Sequence, residues 1–290
     1  MTLPLPAGSR TTTRLITAAT LLFVASEPAP AVTGPAGPES GRCSSVAHSR
    51  PAEELTRAIT RVVSERHSTV AVAVEDPGTG LSCAVRARER FDSASVIKVT
   101  IMGAVLRRAQ DERRALTPFE EDNLRPMIVQ SDNDAATALW RDLGRARLAE
   151  FLRLSGMADT VLAEGDRWGR TQITAGDEMK QLAVFAAPGP VLTPEHRAFG
   201  LDLMNQVEED QAWGAPLGAP DGTTVHVKNG WAPRERHAWH VHSLGIFTDP
   251  GEPYRIAILT RDNPSEEYGI DTVQAVARVV HAARVAAASR

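Results

Sequence analysis

Ser95-Val96-Ile97-Lys98 sets a hydroxyl and an amine three residues apart, on one face of the chain if the stretch is helical. A serine hydroxyl is a poor nucleophile at neutral pH and needs a neighbouring base. Lysine serves as that base when burial and nearby positive charge lower its pKa. The chain has 29 arginines but only three lysines, Lys98, Lys180 and Lys228. With its 16 serines, about 0.17 Ser-x-x-Lys matches are expected by chance. A helix-capping serine followed by an ordinary lysine is the plainer reading. It would, however, put a charge on a helix without a polar face.

Two further motifs share this character. Ser131-Asp132-Asn133 falls in a short polar break between two predicted helices, where it also reads as a cluster of N-capping residues. Lys228-Asn229-Gly230 ends a predicted strand, where it also reads as a turn signal. A strand beside a serine nucleophile can present a backbone N–H to a substrate, and glycine permits close approach. Two of the three lysines occupy motif positions.

The elements that must hold these residues follow from periodicity. A helix is expected over Glu53–Arg66, then strands over Thr69–Glu75 and Leu81–Val85, joined by the turn Asp76-Pro77-Gly78-Thr79-Gly80. The helix predicted for Ser95–Arg107 is apolar nearly all round and therefore buried. Helices are expected over Thr117–Gln130, Asp134–Leu143, Arg145–Leu154, Glu178–Ala187 and Pro194–Val207. Strands return at Thr223–Lys228, Trp239–Thr248 and Tyr254–Thr260, and a helix over Tyr268–Ala287 closes the chain. This order predicts an α+β fold: one antiparallel sheet flanked by the two terminal helices, with an all-α subdomain inserted at about 95–218.

The first part of the chain reads differently. Arg10 and Arg14 precede an apolar run, Leu15–Ala25, and Ala29-Pro30-Ala31 offers a small-residue cleavage site. Residues 1–31 are expected to be an export signal and 32–48 a linker, leaving 49–290 as the folded domain of a secreted, extracytoplasmic protein. The apolar run is too short for a permanent span, so no stable membrane insertion is expected after processing. Arg42 before Cys43 does not fit a lipid-attachment site. Cys43 and Cys83 are the only cysteines and can pair in an oxidising compartment. The net charge of −4 gives no basic field for nucleic acid.

Ser-x-x-Lys, Ser-Asp-Asn and Lys-x-Gly, in that order and in those contexts, resemble the signature of the class A β-lactamases and related penicillin-recognising serine hydrolases. The resemblance spans roughly residues 50–290 and implies the same β-lactamase/transpeptidase-like fold. It implies Ser95 as the acylated nucleophile, Lys98 as its partner and base, and Ser131 as the group that passes a proton to the leaving nitrogen. Asp132 would hold its loop in shape. Lys228 would supply positive potential. Asn133, Asn229, Gly230 and Trp231 would contact substrate, with the N–H groups of Ser95 and Trp231 forming the oxyanion hole. No cofactor and no metal are implied, and the partner is a small β-lactam or peptidoglycan-like substrate.

Three departures stand beside the resemblance. Asn229 replaces the hydroxyl residue usual in Lys-Thr-Gly. The stretch from Ser95 to Ser131 is short. The Glu-x-x-Leu-Asn segment that supplies the deacylating glutamate is missing from Leu162–Thr171, where Glu164 and Asp166 are the available carboxylates. Rival readings are a zinc site built from His237, His240 and His242, a covalent β-lactam-binding sensor, and a peptidase for D-Ala-D-Ala stems or an acyl hydrolase for another small ester or amide. Arg234, Arg236, Arg255 and Arg261 are candidates for a substrate carboxylate.

Overall fold

The computed structural model describes residues 41–45, 49–235, 238–248 and 252–289. The predicted export signal (1–31) and most of the predicted linker (32–48) lie outside these residues, as do Arg236 and His237.

Strand β1 (Arg42–Ser45) precedes helix α1 (Ser49–Ser64), followed by strands β2 (Thr69–Asp76) and β3 (Leu81–Val85). After the short β4 (Phe91–Asp92) come helices α2 (Ile97–Asp111), α3 (Pro118–Val129) and α4 (Asn133–Leu154). The two-residue β5 (Gln172–Ile173) leads into α5 (Ala175–Ala186) and α6 (Pro194–Asn205). Strands β6 (Thr224–Pro233), β7 (Trp239–Thr248) and β8 (Tyr254–Asn263) then precede α7 (Glu266–Ala288).

The two strand regions form one six-stranded sheet of order β1-β3-β2-β8-β7-β6, antiparallel throughout. The join is β2 against β8, with Val72 opposite Ile258. Alternation along β2 divides its side chains between two apolar layers. Val70, Val72 and Val74 pack with Leu55 and Ile59 of α1 and Val276 and Val280 of α7. Ala71 and Ala73 face the helical part, with Ile101 of α2 and Phe151 of α4. Two terminal helices thus cover one face and the helical segment covers the other.

Several expectations need correction. Residues 42–45, assigned to the linker, form an edge strand. Cys43 and Cys83 lie opposite one another in its register with β3 and are joined by a disulfide. Thr56 Oγ1 also accepts from the Cys43 N–H at 3.0 Å, so the strand is held by partners remote in sequence. Lys228-Asn229-Gly230 does not end its strand: pairing with β7 continues to Pro233 opposite Trp239. The Asn-Gly pair reads locally as a turn, but the β7 ladder overrides that preference. The two helices predicted on either side of Gly144 are assigned as the single α4, although Gly144 itself breaks the helical path with φ +66°.

Ile59 is fully buried between the sheet and α7. Ile59→Ala should lower stability by about 2–5 kcal/mol, read as a clear fall in the melting temperature by calorimetry.

Candidate active site

The nucleophile candidate sits in a single 3₁₀ turn, Ala94–Val96, that feeds directly into α2. Eleven of the fifteen α2 residues are buried, Lys98 among them with no exposed surface. That is the outcome expected of a helix without a polar face. Gly103 makes this depth attainable: a Cβ there would lie 2.2 Å from Phe151 Cζ of α4.

Lys98 Nζ donates to the Ser131 carbonyl at 2.6 Å, to Ser131 Oγ at 3.1 Å and to Asn133 Oδ1 at 2.8 Å. Lys228 Nζ donates to the same Ser131 Oγ at 2.9 Å and to its neighbour's carbonyl, Asn229 O, also at 2.9 Å. One hydroxyl therefore bridges two buried amines. Burial pushes Lys98 down to about 7, against the opposing pull of Asp132. Burial, and then the nearby Lys98, push Lys228 well below the ordinary lysine range. Two full charges on this pair would meet desolvation and mutual repulsion, so burial favours the neutral form of both amines.

The backbone is bent to make this contact. Ser131 has φ +55° and Ala94, just before Ser95, has φ +46°. Non-glycine residues in this region cost about 1–2 kcal/mol each. The turn at Ser131 aims both its carbonyl and its hydroxyl at Lys98. Asp132 then caps α4, its Oδ1 accepting from the Ala135 N–H at 2.7 Å. Capping and site-building are thus one arrangement rather than alternatives.

Strand β6 lies at the sheet edge, so backbone groups not paired to β7 face the Ser95 turn. At Gly230 the approach is closest, since a Cβ would lie 2.8 Å from the Ser95 nitrogen and 2.7 Å from the Val96 nitrogen. Ser95, Asn133, Trp231 and Arg234 line one cleft of about 400 Å³, together with Trp168 and Arg170. The Ser95 hydroxyl has no hydrogen-bond partner among the described residues, and the Lys98 donors point to Ser131 and Asn133 instead.

Asn229 does not meet the expectation of a substrate contact. Its side-chain amide is buried and donates to the carbonyls of Gln211 and Trp213, at 2.7 and 2.8 Å. The reason is its place on the strand, where it anchors the segment before β6.

Glu164 lies in solvent, 76% exposed, beside Arg145 at 3.3 Å, and does not line the cleft. Asp166 lines the cleft, but both its oxygens accept from Arg141, which holds it below the ordinary carboxylate range.

Arg234 Nε donates to Asp92 at 2.6 Å, whereas Arg255 pairs with Glu75 and Arg261 with Glu89. His242 Nε2 donates to the Asp92 carbonyl at 2.8 Å and its Nδ1 accepts from the Thr260 N–H at 3.2 Å. Both ring nitrogens are occupied, and burial, reinforced by His240, pushes the imidazole down to about 3. It is a neutral strut beneath β4. Among the described residues no group of three His, Cys, Asp or Glu is placed to hold a metal.

Sequence reasoning passed over Trp168 and Asp92. The Trp168 ring centre stands 5.0 Å from Lys98 Nζ, and its Nε1 donates to Thr137 Oγ1 at 3.0 Å. The indole covers the lysine from the loop that was expected to supply a carboxylate. Asp92 reaches the site through β4 paired to β5, two strands too short to leave a periodic signal.

The chain matches the model of the β-lactamase enzyme family over residues 54–118 and 120–283, and it belongs to that family. The chain is similar in fold to PBP-A, with a TM-score of 0.70, 21% identity, and coverage of 81% of this chain and 96% of that one. It is also similar to a β-lactamase from Xanthomonas campestris, with a TM-score of 0.69, 19% identity, and coverage of 79% and 97%. "Putative lipoprotein LppW" of Mycobacterium tuberculosis is 27% identical over 186 residues, 62% of this chain and 59% of that protein. The matched part thus spans about three fifths of that relative's length.

Gly230→Ala would push β6 away from the Ser95 turn. A displacement of this size should slow labelling of Ser95 by a serine-directed fluorophosphonate about 100-fold. Circular dichroism would check that the fold is kept.

Proposed function

We propose that this protein is an exported acyl-transfer enzyme that attacks β-lactam-type cyclic amides through Ser95. The observation that carries the reading is the buried Lys98–Ser131–Lys228 chain beside the nucleophile. Lys98, whose amine burial brings down to about 7, takes the Ser95 Oγ proton as Oγ bonds to the carbonyl carbon. The Ser95 and Trp231 N–H groups receive the developing oxyanion. As the C–N bond breaks, Ser131 Oγ gives a proton to the leaving nitrogen and is reprotonated from the lysines on either side. Asn133, whose Oδ1 is held by Lys98, keeps its NH₂ group for a substrate carbonyl. Export accords with the disulfide and with the lipoprotein name of the mycobacterial relative.

Hydrolysis of the Ser95 ester requires an activated water. Both loop carboxylates are engaged by arginines, so deacylation is slow and the covalent adduct persists. The same feature favours, as a second reading, a peptidase for D-Ala-D-Ala peptides that a penicillin would trap.

Intact-mass spectrometry with benzylpenicillin should show one penicilloyl group added to the wild type and none to Ser95→Ala. The acylation rate should rise with pH through about 7, because deprotonation of Lys98 creates the base. Turnover of a chromogenic cephalosporin should be slow and Ser95-dependent. Absence of any Ser95-dependent adduct or turnover, with penicillins and D-Ala-D-Ala esters alike, would sink the reading.

A further inference from the structure

We infer that the cleft is built for an acyl donor whose acyl group carries its own carboxylate, bound by Arg167 and Arg170. This rests on the acyl-enzyme reading above. The leaving nitrogen must lie toward Ser131 and Lys228, because the proton comes from there. The acyl remainder then extends the opposite way along β6, from Trp231 toward Arg234. The facing wall is the segment 166–170, and Arg234 Nη2 closes that end with a 3.0 Å bond to the Gly169 carbonyl.

Arg167, Arg170 and Arg234 line this end. Arg234 is spent as structure: its three nitrogens bond Asp92, the Pro233 carbonyl and the Gly169 carbonyl. Asp92 is consequently shared, and Arg170 reaches it only at 3.5 Å while remaining 54% exposed. Asp166 is neutralised by Arg141. Arg167 has no carboxylate partner among the described residues; its one bond is to the Glu164 backbone carbonyl at 3.5 Å. Three guanidinium groups therefore have Asp92 as the one carboxylate near them that Arg141 does not hold, in a chain whose net charge is −4. A local positive end on an acidic protein attracts an anion. A neutral acyl group would leave Arg167 without a carboxylate partner and Arg170 with only its long contact to Asp92. A carboxylate offers either one a bidentate contact.

The test compares acylation rates for α-carboxybenzylpenicillin and benzylpenicillin, which differ by one carboxylate on the acyl side. A parallel pair of D-alanyl-D-alanine esters, N-succinyl and N-acetyl, separates peptide from β-lactam sources of that carboxylate. The acidic member should react about fivefold faster at low ionic strength, and the ratio should fall toward one in high salt. In Arg167→Gln/Arg170→Gln the ratio should fall likewise, and in Arg167→Glu it should invert. Equal rates for both members of each pair, or a ratio unmoved by salt and by these substitutions, would overturn the inference while leaving the acyl-enzyme intact. Failure of every compound to label Ser95 would remove the underlying reading, and this one with it.

Discussion

Two lysine amines share one serine hydroxyl in the interior of this protein, and much of the surrounding structure follows from that contact. A buried ammonium loses its hydration, and a second one beside it adds repulsion. The arrangement is tolerable only if the amines are partly neutral and every remaining proton has an acceptor. The Ser131 and Asn229 carbonyls and Asn133 Oδ1 supply those acceptors. Each acceptor is placed by a different element. Ser131 comes from the strained turn before α4, Asn133 from the first turn of that helix, and Asn229 from the edge strand. The burial of α2 and the positive φ at Ser131 are therefore parts of one electrostatic solution.

The loop wall of the cleft is organised differently from the lysine chain. Trp168, not a carboxylate, covers Lys98, and the nearby acids are bound to arginines. An indole over an amine excludes water while its π-face still favours a cation. In the acyl transfer proposed above, such a wall would shield the base and would offer little help to a hydrolytic water.

The same loop is tied to the sheet through Asp92, which takes Arg234 from just after β6, Arg170 from the loop and Gln172 from β5. His242, neutral and fully buried, props the Asp92 backbone from below. What resembles a histidine metal cluster in one dimension is a strut in three. Alternation puts His240 and His242 on one face of β7, and that face is packed against β4 rather than open to a ligand.

The three motifs and their order were legible in the sequence because each is local and because lysine is rare enough here for two coincidences to carry weight. The element order was legible too, since a helix without a polar face and strands with alternating faces leave periodic traces. Strand β1, the β4–β5 pair and the full length of β6 left none. They are short or turn-like, and hydrogen-bonding partners remote in sequence decide them. The sequence also determined that Asn229 would lie between Lys228 and Gly230. Which way its amide points was decided only by the packing of residues 211–213 against β6. Likewise the residue types near 164–170 were readable, but their pairing was not. Whether a carboxylate is a free base or an arginine's partner depends on which groups the fold brings within about 3 Å, and spacing along the chain does not encode that distance.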